Sequence, residues 1–230
     1  QDNHNVEFSE NDFYIGQNIE NLYIKSKFEA ECLVFDAILR GLKAYVLRMG
    51  NLTSRFTEGK FQQNHFENAF VNRFKSILQI GYAPDYLLDS YVEFTPIDFC
   101  GDAIIALGSH FNENFSVFHL LNEKHVTMDR LFTTLTELGV PLKIVSSDEF
   151  VNILDTLLQD EEKKNYLEGI INDLNTDKKL VYDSNIKIKS DFTTAILEKI
   201  GFEWPYIDTR YIHNYLKYLA DIGYFNIKLN

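Results

Sequence analysis

Helical and strand patterns alternate through the first 140 of the 230 residues in this chain. Ala30, Val34 and Ile38 repeat at the spacing of one helix face, and Gly41 supplies a helix stop. A β-rich run from Ala44 to Gly50 follows at once. A helix, a short loop and a buried strand make up half of a βαβ unit. Repetition of this unit predicts an α/β fold with a mainly parallel sheet.

The alternation ends near residue 140. Before it, the sequence predicts helices in ENAFVNRFKSILQIG, IDFCGDAIIALGSH and VTMDRLFTTLTELG, and strands in YVEFTP and FSVFHLL. After it, helices are predicted from Ser147 onward and in DEEKKNYLEGIINDLN, KSDFTTAILEKIG and DTRYIHNYLKYLADIGYF. We therefore expect two parts, residues 1–140 and 141–230, of which the second is mainly helical. No Pro/Gly/Ser-rich linker separates them, so we expect them to pack directly on one another.

Charge and cysteine content exclude several classes of protein. The formal net charge is -12, so electrostatic repulsion argues against nucleic acid and anionic membrane surfaces as partners. No apolar run is long enough for a membrane span, and the amino-terminal residues lack the pattern of a signal peptide. The two cysteines, Cys32 and Cys100, lie in apolar helical patterns. We expect both to be buried, reduced thiols in a cytoplasmic protein.

A tyrosine and a lysine stand one helical turn apart at the start of the first long helix. Tyr23 and Lys27 are four residues apart, so on a helix their side chains share one face. An ammonium group near a phenol favours the phenolate, which makes the tyrosine a usable proton donor and acceptor. Such a pair also arises by chance between exposed neighbours in a chain rich in both residue types. The spacing alone leaves both interpretations open.

The segments around this pair resemble a known family. FSENDFYIGQNIENLYIKSKFEAE, LRMGNLTSRFTEGKFQ, NAFVNRFKSILQIG and VEFTPIDFCGDAIIAL are similar to successive motifs of the terminal thioester reductase domains of nonribosomal peptide synthetases. These domains are extended short-chain dehydrogenases/reductases. EFVNILDTLL and WPYIDTRYIHNYLKYL extend the resemblance through the helical tail. The resemblance implies a partial Rossmann-like parallel sheet with a carboxyl-terminal helical subdomain that serves the substrate or its carrier.

The resemblance also implies an activity. It is hydride transfer from NADPH to an acyl or peptidyl thioester on the phosphopantetheine arm of a carrier domain, which is loaded by upstream synthetase modules. A thiohemiacetal forms and gives an aldehyde, or an alcohol after a second reduction. Tyr23 would donate the proton, and Lys27 would hold the nicotinamide ribose hydroxyls and lower the tyrosine pKa. The nicotinamide would be bordered by four residues at the carboxyl end of a strand, where ligands of open α/β sheets bind: Met49, Gly50, Asn51 and Leu52. An ordinary strand-to-loop turn is the alternative for these four.

The sequence departs from the family pattern in one respect. No Gly-x-x-Gly-x-x-Gly turn occurs. The family's catalytic serine or threonine precedes the tyrosine, but the nearest such residue here, Ser9, lies in a segment that matches a later loop of the family. We therefore expect the amino-terminal half of the Rossmann domain to be absent. Such a fragment would bind NADPH weakly and be inactive alone, because the pyrophosphate would lack its helix amino terminus and backbone donors.

Other sites and functions have weaker support in the sequence. The six histidines form no close pair with another metal-type ligand, so no metal site is predicted. A local basic stretch could dock an acidic carrier domain or be an ordinary solvated loop: Lys178, Lys179, Lys187 and Lys189. Two alternative functions stay open, a non-enzymatic carrier-docking module and another extended short-chain dehydrogenase such as a sugar-nucleotide epimerase.

Overall fold

A computed structural model describes residues 6–16, 19–110, 115–181 and 186–224. The described residues contain seven α-helices: α1 (Leu22–Leu39), α2 (Ala69–Ile80), α3 (Ile97–His110), α4 (Met128–Glu137), α5 (Ser147–Gln159), α6 (Asp191–Lys199) and α7 (Thr209–Asp221). They also contain ten short strands: β1 (Val6–Phe8), β2 (Ala44–Met49), β3 (Leu52–Thr53), β4 (Tyr82–Pro84), β5 (Tyr91–Val92), β6 (Thr95–Pro96), β7 (Phe115–Leu120), β8 (Val126–Thr127), β9 (Lys143–Val145) and β10 (Ile186–Ile188).

The strands pair two by two, and four of the five described pairs are parallel. The longest pair is β2 with β7, in a register that runs from Ala44 opposite Phe115 to Met49 opposite Leu120. Strand β1 pairs with β10, β3 with β6 and β4 with β9 in parallel, whereas β5 and β8 are antiparallel. The predicted α/β fold with mainly parallel strands is confirmed.

Two apolar clusters form the core. The larger one joins α2, α4, α5 and α7 through buried side chains such as Ile77, Leu131, Phe150 and Leu219. The smaller one packs α3 and α6 against β2 and β7, with Trp204 at its edge. The larger cluster takes residues from both sides of residue 140, so the two predicted parts share a packed interior.

Helix α1 differs from the other helices because none of its described residues is buried. Leu22 is 82% exposed, Leu33 70% and Leu39 86%. Strand β2, on which α1 lies, pairs with β7 on one edge and with no other described strand. Within the described ranges, α1 therefore presents exposed apolar surface, and one edge of β2 pairs with no described strand.

The segment DEEKKNYLEGIINDLN does not form the predicted α-helix. It contains two short 3₁₀ turns, Lys164–Leu167 and Ile171–Asp173. Gly169 lies between them and packs its backbone on α2. Its N–H donates to Ser76 Oγ over 3.0 Å, and a Cβ on this glycine would overlap the backbone of Asn72. Contact of the main chain with α2 therefore overrides the helical pattern of the sequence.

In the described part of the chain, every helix is too short or too polar to cross a bilayer.

Candidate functional site

Tyr23 and Lys27 lie in the first turns of α1. Asn21 caps this helix, and its Oδ1 accepts the N–H of Tyr23 at 2.9 Å. Lys27 Nζ lies 5.3 Å from the centroid of the Tyr23 ring. A cation in this position interacts with the face of the ring. Tyr23 is 70% exposed, so water weakens the attraction in this setting.

A cleft of about 770 Å³ opens between α1 and the carboxyl end of β2. Tyr23 and Lys27 line one wall. The other wall includes four consecutive residues: Met49, Gly50, Asn51 and Leu52. The structure therefore brings all six residues singled out in the sequence to one cleft.

Polar residues that the sequence did not single out also line this cleft, among them Glu31, Arg48, Gln62 and Asn68. Gln62 and Asn68 reach it from the loop that precedes α2. Asn68 is also the cap of α2, since its Oδ1 accepts the N–H of Val71 at 3.0 Å. An asparagine before an apolar helical pattern is a local signal for such a cap, whereas the return of this loop to the cleft depends on tertiary packing. The two side chains add amide donors and acceptors to the lining of the cleft.

The turn after β2 is built around a glycine and a partly buried carboxyl group. The N–H of Gly50 donates to Leu120 O over 2.8 Å. A Cβ on Gly50 would overlap the carboxyl group of Glu93 and lie 2.7 Å from Leu121 Cβ. The N–H of Asn51 donates to Glu93 Oε1 over 2.9 Å. Only glycine therefore allows this close approach of Glu93 to the turn.

An ion pair fixes α1 on β2. Arg48 Nε donates to Glu31 Oε1 over 3.1 Å, and the two side chains are 17% and 18% exposed. Arg48 Nη1 lies 3.0 Å from Nε2 of His119, and His119 Nδ1 lies 2.6 Å from Lys189 O. Because arginine only donates, Nε2 accepts and Nδ1 carries the proton that goes to Lys189 O. Burial lowers the pKa of His119, and the Arg48 charge acts in the same direction, so the ring is neutral near pH 7.

The two cysteines differ in their burial. Cys100 is buried, and burial together with the charge of Glu93 raises its pKa to about 11. Cys32, in α1, is only partly buried, which corrects the expectation for this residue.

In the basic stretch, Lys178 pairs with a carboxylate of α5 and Lys189 lies 3.5 Å from one in α6. Among the described residues, no three His, Cys, Asp or Glu side chains are grouped to hold a metal ion.

Comparisons with known proteins identify relatives of this chain. Residues 2–104 match an NAD-binding family described as "Male sterility protein". A linear gramicidin synthase of Brevibacillus parabrevis is 26% identical over 208 residues, which is 90% of this chain and 4% of that protein. The solved thiolation-reductase di-domain of an archaeal non-ribosomal peptide synthetase is 32% identical, with a TM-score of 0.82 over 96% of this chain and 45% of that one.

A further solved structure shares the fold. The terminal R domain from the myxalamid PKS-NRPS pathway is 22% identical and has a TM-score of 0.76 over 96% of this chain and 55% of that one. The chain thus spans about half the length of the solved reductases that it matches and a small part of the curated synthetase. These findings confirm the resemblance to terminal reductase domains that the sequence motifs indicated.

Proposed function

We propose that this chain, which is related to the terminal thioester reductase domains of nonribosomal peptide synthetases, forms part of an NADPH-dependent reductase. It would release a carrier-bound acyl or peptidyl thioester as an aldehyde or an alcohol. The observation that carries the proposal is the position of Lys27 Nζ, 5.3 Å from the Tyr23 ring, in a cleft that the turn after β2 also lines. The archaeal relative, itself a thiolation-reductase di-domain, supports it.

The residues present fit the nicotinamide end of a dinucleotide. Lys27 supplies ammonium donors for ribose hydroxyls. Gly50 and Asn51 allow the ligand to approach the backbone at the carboxyl end of a parallel strand. The pyrophosphate end is different, because the sequence has no Gly-x-x-Gly-x-x-Gly turn. We propose that this end is held by a segment outside these 230 residues.

The chemistry assigned to the chain is proton transfer and charge stabilisation. Bound NADPH supplies the hydride. Tyr23 gives its phenolic proton to the thioester carbonyl oxygen as negative charge develops there, and the Lys27 ammonium stabilises the phenolate that remains. The thiohemiacetal then loses the phosphopantetheine thiol, which frees the aldehyde. Met49, Gly50, Asn51 and Leu52 border the nicotinamide and define where the carbonyl lies.

The uncovered surface of α1 and β2 supports the view that the chain does not act alone. Leu22, Leu33 and Leu39 are largely exposed, and β2 keeps a free edge among the described strands. We propose that the remainder of a Rossmann sheet covers both, and that the chain without it binds NADPH weakly and is inactive.

Residues 141–230 are proposed to form the helical part that receives the carrier domain, and residues 1–140 the reductase core. In the helical part, Lys179 and Lys187 are exposed, and their positive charge would attract an acidic carrier domain. Lys178 and Lys189 are already paired with carboxylates, so their contribution to docking would be smaller. A cytoplasmic location beside upstream synthetase modules follows from the proposed activity.

The direct test is a chimera in which the amino-terminal half of the archaeal reductase precedes this chain. We expect it to oxidise NADPH when given an acyl thioester on a carrier domain. Tyr23→Phe should lower kcat by about 100-fold or more, because the proton donor is lost. Tyr91→Phe is the matched control, since Tyr91 is 62% exposed and lies outside the cleft. Full activity of the Tyr23→Phe chimera would refute the role of Tyr23.

The non-enzymatic docking module is the second candidate, and the absence of a glycine-rich turn from the sequence favours it. Titration of the 230-residue chain with NADPH and, separately, with a loaded carrier domain distinguishes the two. Tight carrier binding together with a chimera that does not reduce thioesters would favour the docking module.

A further inference from the structure

Glu93 is a partly buried titratable residue that the sequence did not single out. It lies in the break between β5 and β6, in a segment that the sequence predicted to be one strand. Its Oε1 accepts hydrogen bonds from Asn51 N–H, at 2.9 Å, and from Thr95 Oγ1–H. Its main-chain oxygen accepts from Asn51 Nδ2 at 3.0 Å. Asn51 is thus held at its backbone and at its side chain by one residue.

The contact with Gly50 makes this arrangement tight. The Glu93 carboxyl group occupies the space that a Cβ of Gly50 would fill. Thr95 N–H also donates to Asn51 O over 3.0 Å. Glu93 and Thr95 therefore hold the turn that borders the cleft on both sides of the Gly50–Asn51 peptide. These contacts are distant in sequence, since Glu93 and Asn51 are 42 residues apart.

The same hydrogen bonds continue into the carboxyl-terminal part of the chain. Asn122 N–H donates to Thr95 Oγ1 over 2.9 Å. Asn122 Nδ2 donates to Phe94 O over 3.0 Å and to Pro205 O over 3.1 Å. Asn122 is fully buried, so these bonds are shielded from water. They connect Glu93 with the loop that precedes α7.

The environment of Glu93 is costly for a charge. Burial raises its pKa, while the bonds from Thr95 and Asn51 act in the opposite direction. Cys100, whose Sγ lies 3.5 Å from Met49 Sδ, has a pKa of about 11, chiefly because of burial and partly because of the charge on Glu93. A carboxyl group is thus kept behind the turn in surroundings that favour its neutral form.

We propose that Glu93 is a positioning residue that sets the Gly50–Asn51 turn for the nicotinamide and couples this turn, through Thr95 and Asn122, to the loop before α7. The inference rests on the proposed function, because that function supplies the nicotinamide as the ligand of the turn. The hydrogen bonds of the turn can be measured without any ligand.

The first experiment follows the Asn51 amide by NMR in the 230-residue chain. In the wild type, its amide proton should titrate with Glu93, at a midpoint above the ordinary glutamate value of 4.5, and this titration should vanish in Glu93→Gln. Hydrogen exchange at Asn51 should be about tenfold faster in Glu93→Ala, since one hydrogen bond is lost, and unchanged in Glu93→Gln, which keeps the acceptor.

The controls separate a local effect from general destabilisation. The Gly81 amide donates to Ile77 O, not to Glu93, and should neither titrate with Glu93 nor exchange faster. Glu137→Ala, at an exposed position of α4, should leave Asn51 unchanged. If Glu93→Ala does not fold, the wild type and Glu93→Gln still decide the question. An Asn51 amide that does not titrate would overturn the proposal.

The second experiment uses the reductase chimera. Glu93→Ala should raise the KM for NADPH about tenfold with a smaller change in kcat, and Glu93→Gln should restore the KM to within about threefold of the wild type. If the Asn51 amide responds but the KM does not, the turn does not position the cofactor, and the inference fails while the proposed function stands. If instead Tyr23→Phe keeps its activity, the proposed function fails, and the amide measurements still report on the turn.

Discussion

Glu31 and Arg48 form a largely buried ion pair that joins the helix of Tyr23 to the strand that ends at Met49. Tyr23, Lys27 and Glu31 follow one another at four-residue intervals, so they lie along one face of α1. The ion pair therefore fixes the rotation of this helix and directs Tyr23 and Lys27 toward the cleft. Because α1 has no buried residues among those described, this polar contact carries an unusual share of its attachment.

The first prediction concerns this ion pair. Arg48→Ala should lower the free energy of unfolding by about 2–3 kcal/mol, because Glu31 and His119 lose a partner in a largely buried site. Urea unfolding measures the change. Arg40→Ala is the matched control, since Arg40 pairs with Asp36 in the same helix while the side chains are 72% and 55% exposed. It should cost less than about 0.5 kcal/mol. Equal losses in the two variants would contradict the prediction.

The second prediction concerns pH and His119. Its folded-state pKa is lowered, first by burial and also by Arg48, against the opposing effects of Lys189 O, Glu10 and Glu31. Below the unfolded value of 6.5, the unfolded chain binds more protons than the folded one. Stability should therefore fall as the pH drops through 6.5 toward the folded-state pKa. His119→Asn removes this contribution, so urea unfolding should show its deficit relative to the wild type shrinking as the pH falls. Parallel curves would exclude the effect.

The third prediction has the opposite sign. The pKa of Glu93 is raised by burial, so the folded state holds its proton to a higher pH than the unfolded chain. Stability from this group is present below the unfolded-state value of 4.5 and is lost as the pH rises through the folded-state pKa. Glu93→Gln should therefore be more stable than the wild type at neutral pH, and the difference should close as the pH falls to about 4.5.

Glu58→Gln is the comparison for Glu93. The pKa of Glu58 is lowered, chiefly by its hydrogen bond with Lys60, so this variant should not gain stability at neutral pH. Urea unfolding over a pH series distinguishes the two glutamates. A Glu93→Gln variant that is no more stable than the wild type at neutral pH would show that burial does not dominate at Glu93.

The parts of the fold that the sequence predicted well are those with local signals. The apolar spacing of Ala30, Val34 and Ile38 with Gly41 as a stop predicted α1 closely, and the start of β2 at Ala44 was read from its β-rich composition. Tyr23 and Lys27 could be paired because four-residue spacing places side chains on one helix face whatever the rest of the fold does.

The parts that the sequence missed depend on distant contacts. In the sequence, Glu93 looks like one residue of a single strand, YVEFTP. In the structure it lies in a break between two strands, and its side chain accepts a hydrogen bond from Asn51, 42 residues away. Gln62 reaches the cleft only because its loop folds back on α1 and β2. Gly169 ends the helical pattern around it by packing on α2. In each case tertiary packing overrides a local pattern.

The last prediction compares two buried tyrosines on α7. Tyr211 Oη donates to Thr53 Oγ1 over 2.8 Å and accepts from Ser54 Oγ at 3.1 Å, and its pKa is raised to about 12 by burial. Tyr215 Oη is buried without a hydrogen-bond partner among the described residues. Tyr211→Phe should therefore lower the free energy of unfolding by about 1–3 kcal/mol, because it leaves two buried hydroxyl groups poorly paired. Tyr215→Phe removes an unpaired hydroxyl group and should be neutral or stabilising by about 1 kcal/mol. Both changes keep the ring, so urea unfolding isolates the hydroxyl groups, and a loss at Tyr215 as large as at Tyr211 would contradict the assigned bonds.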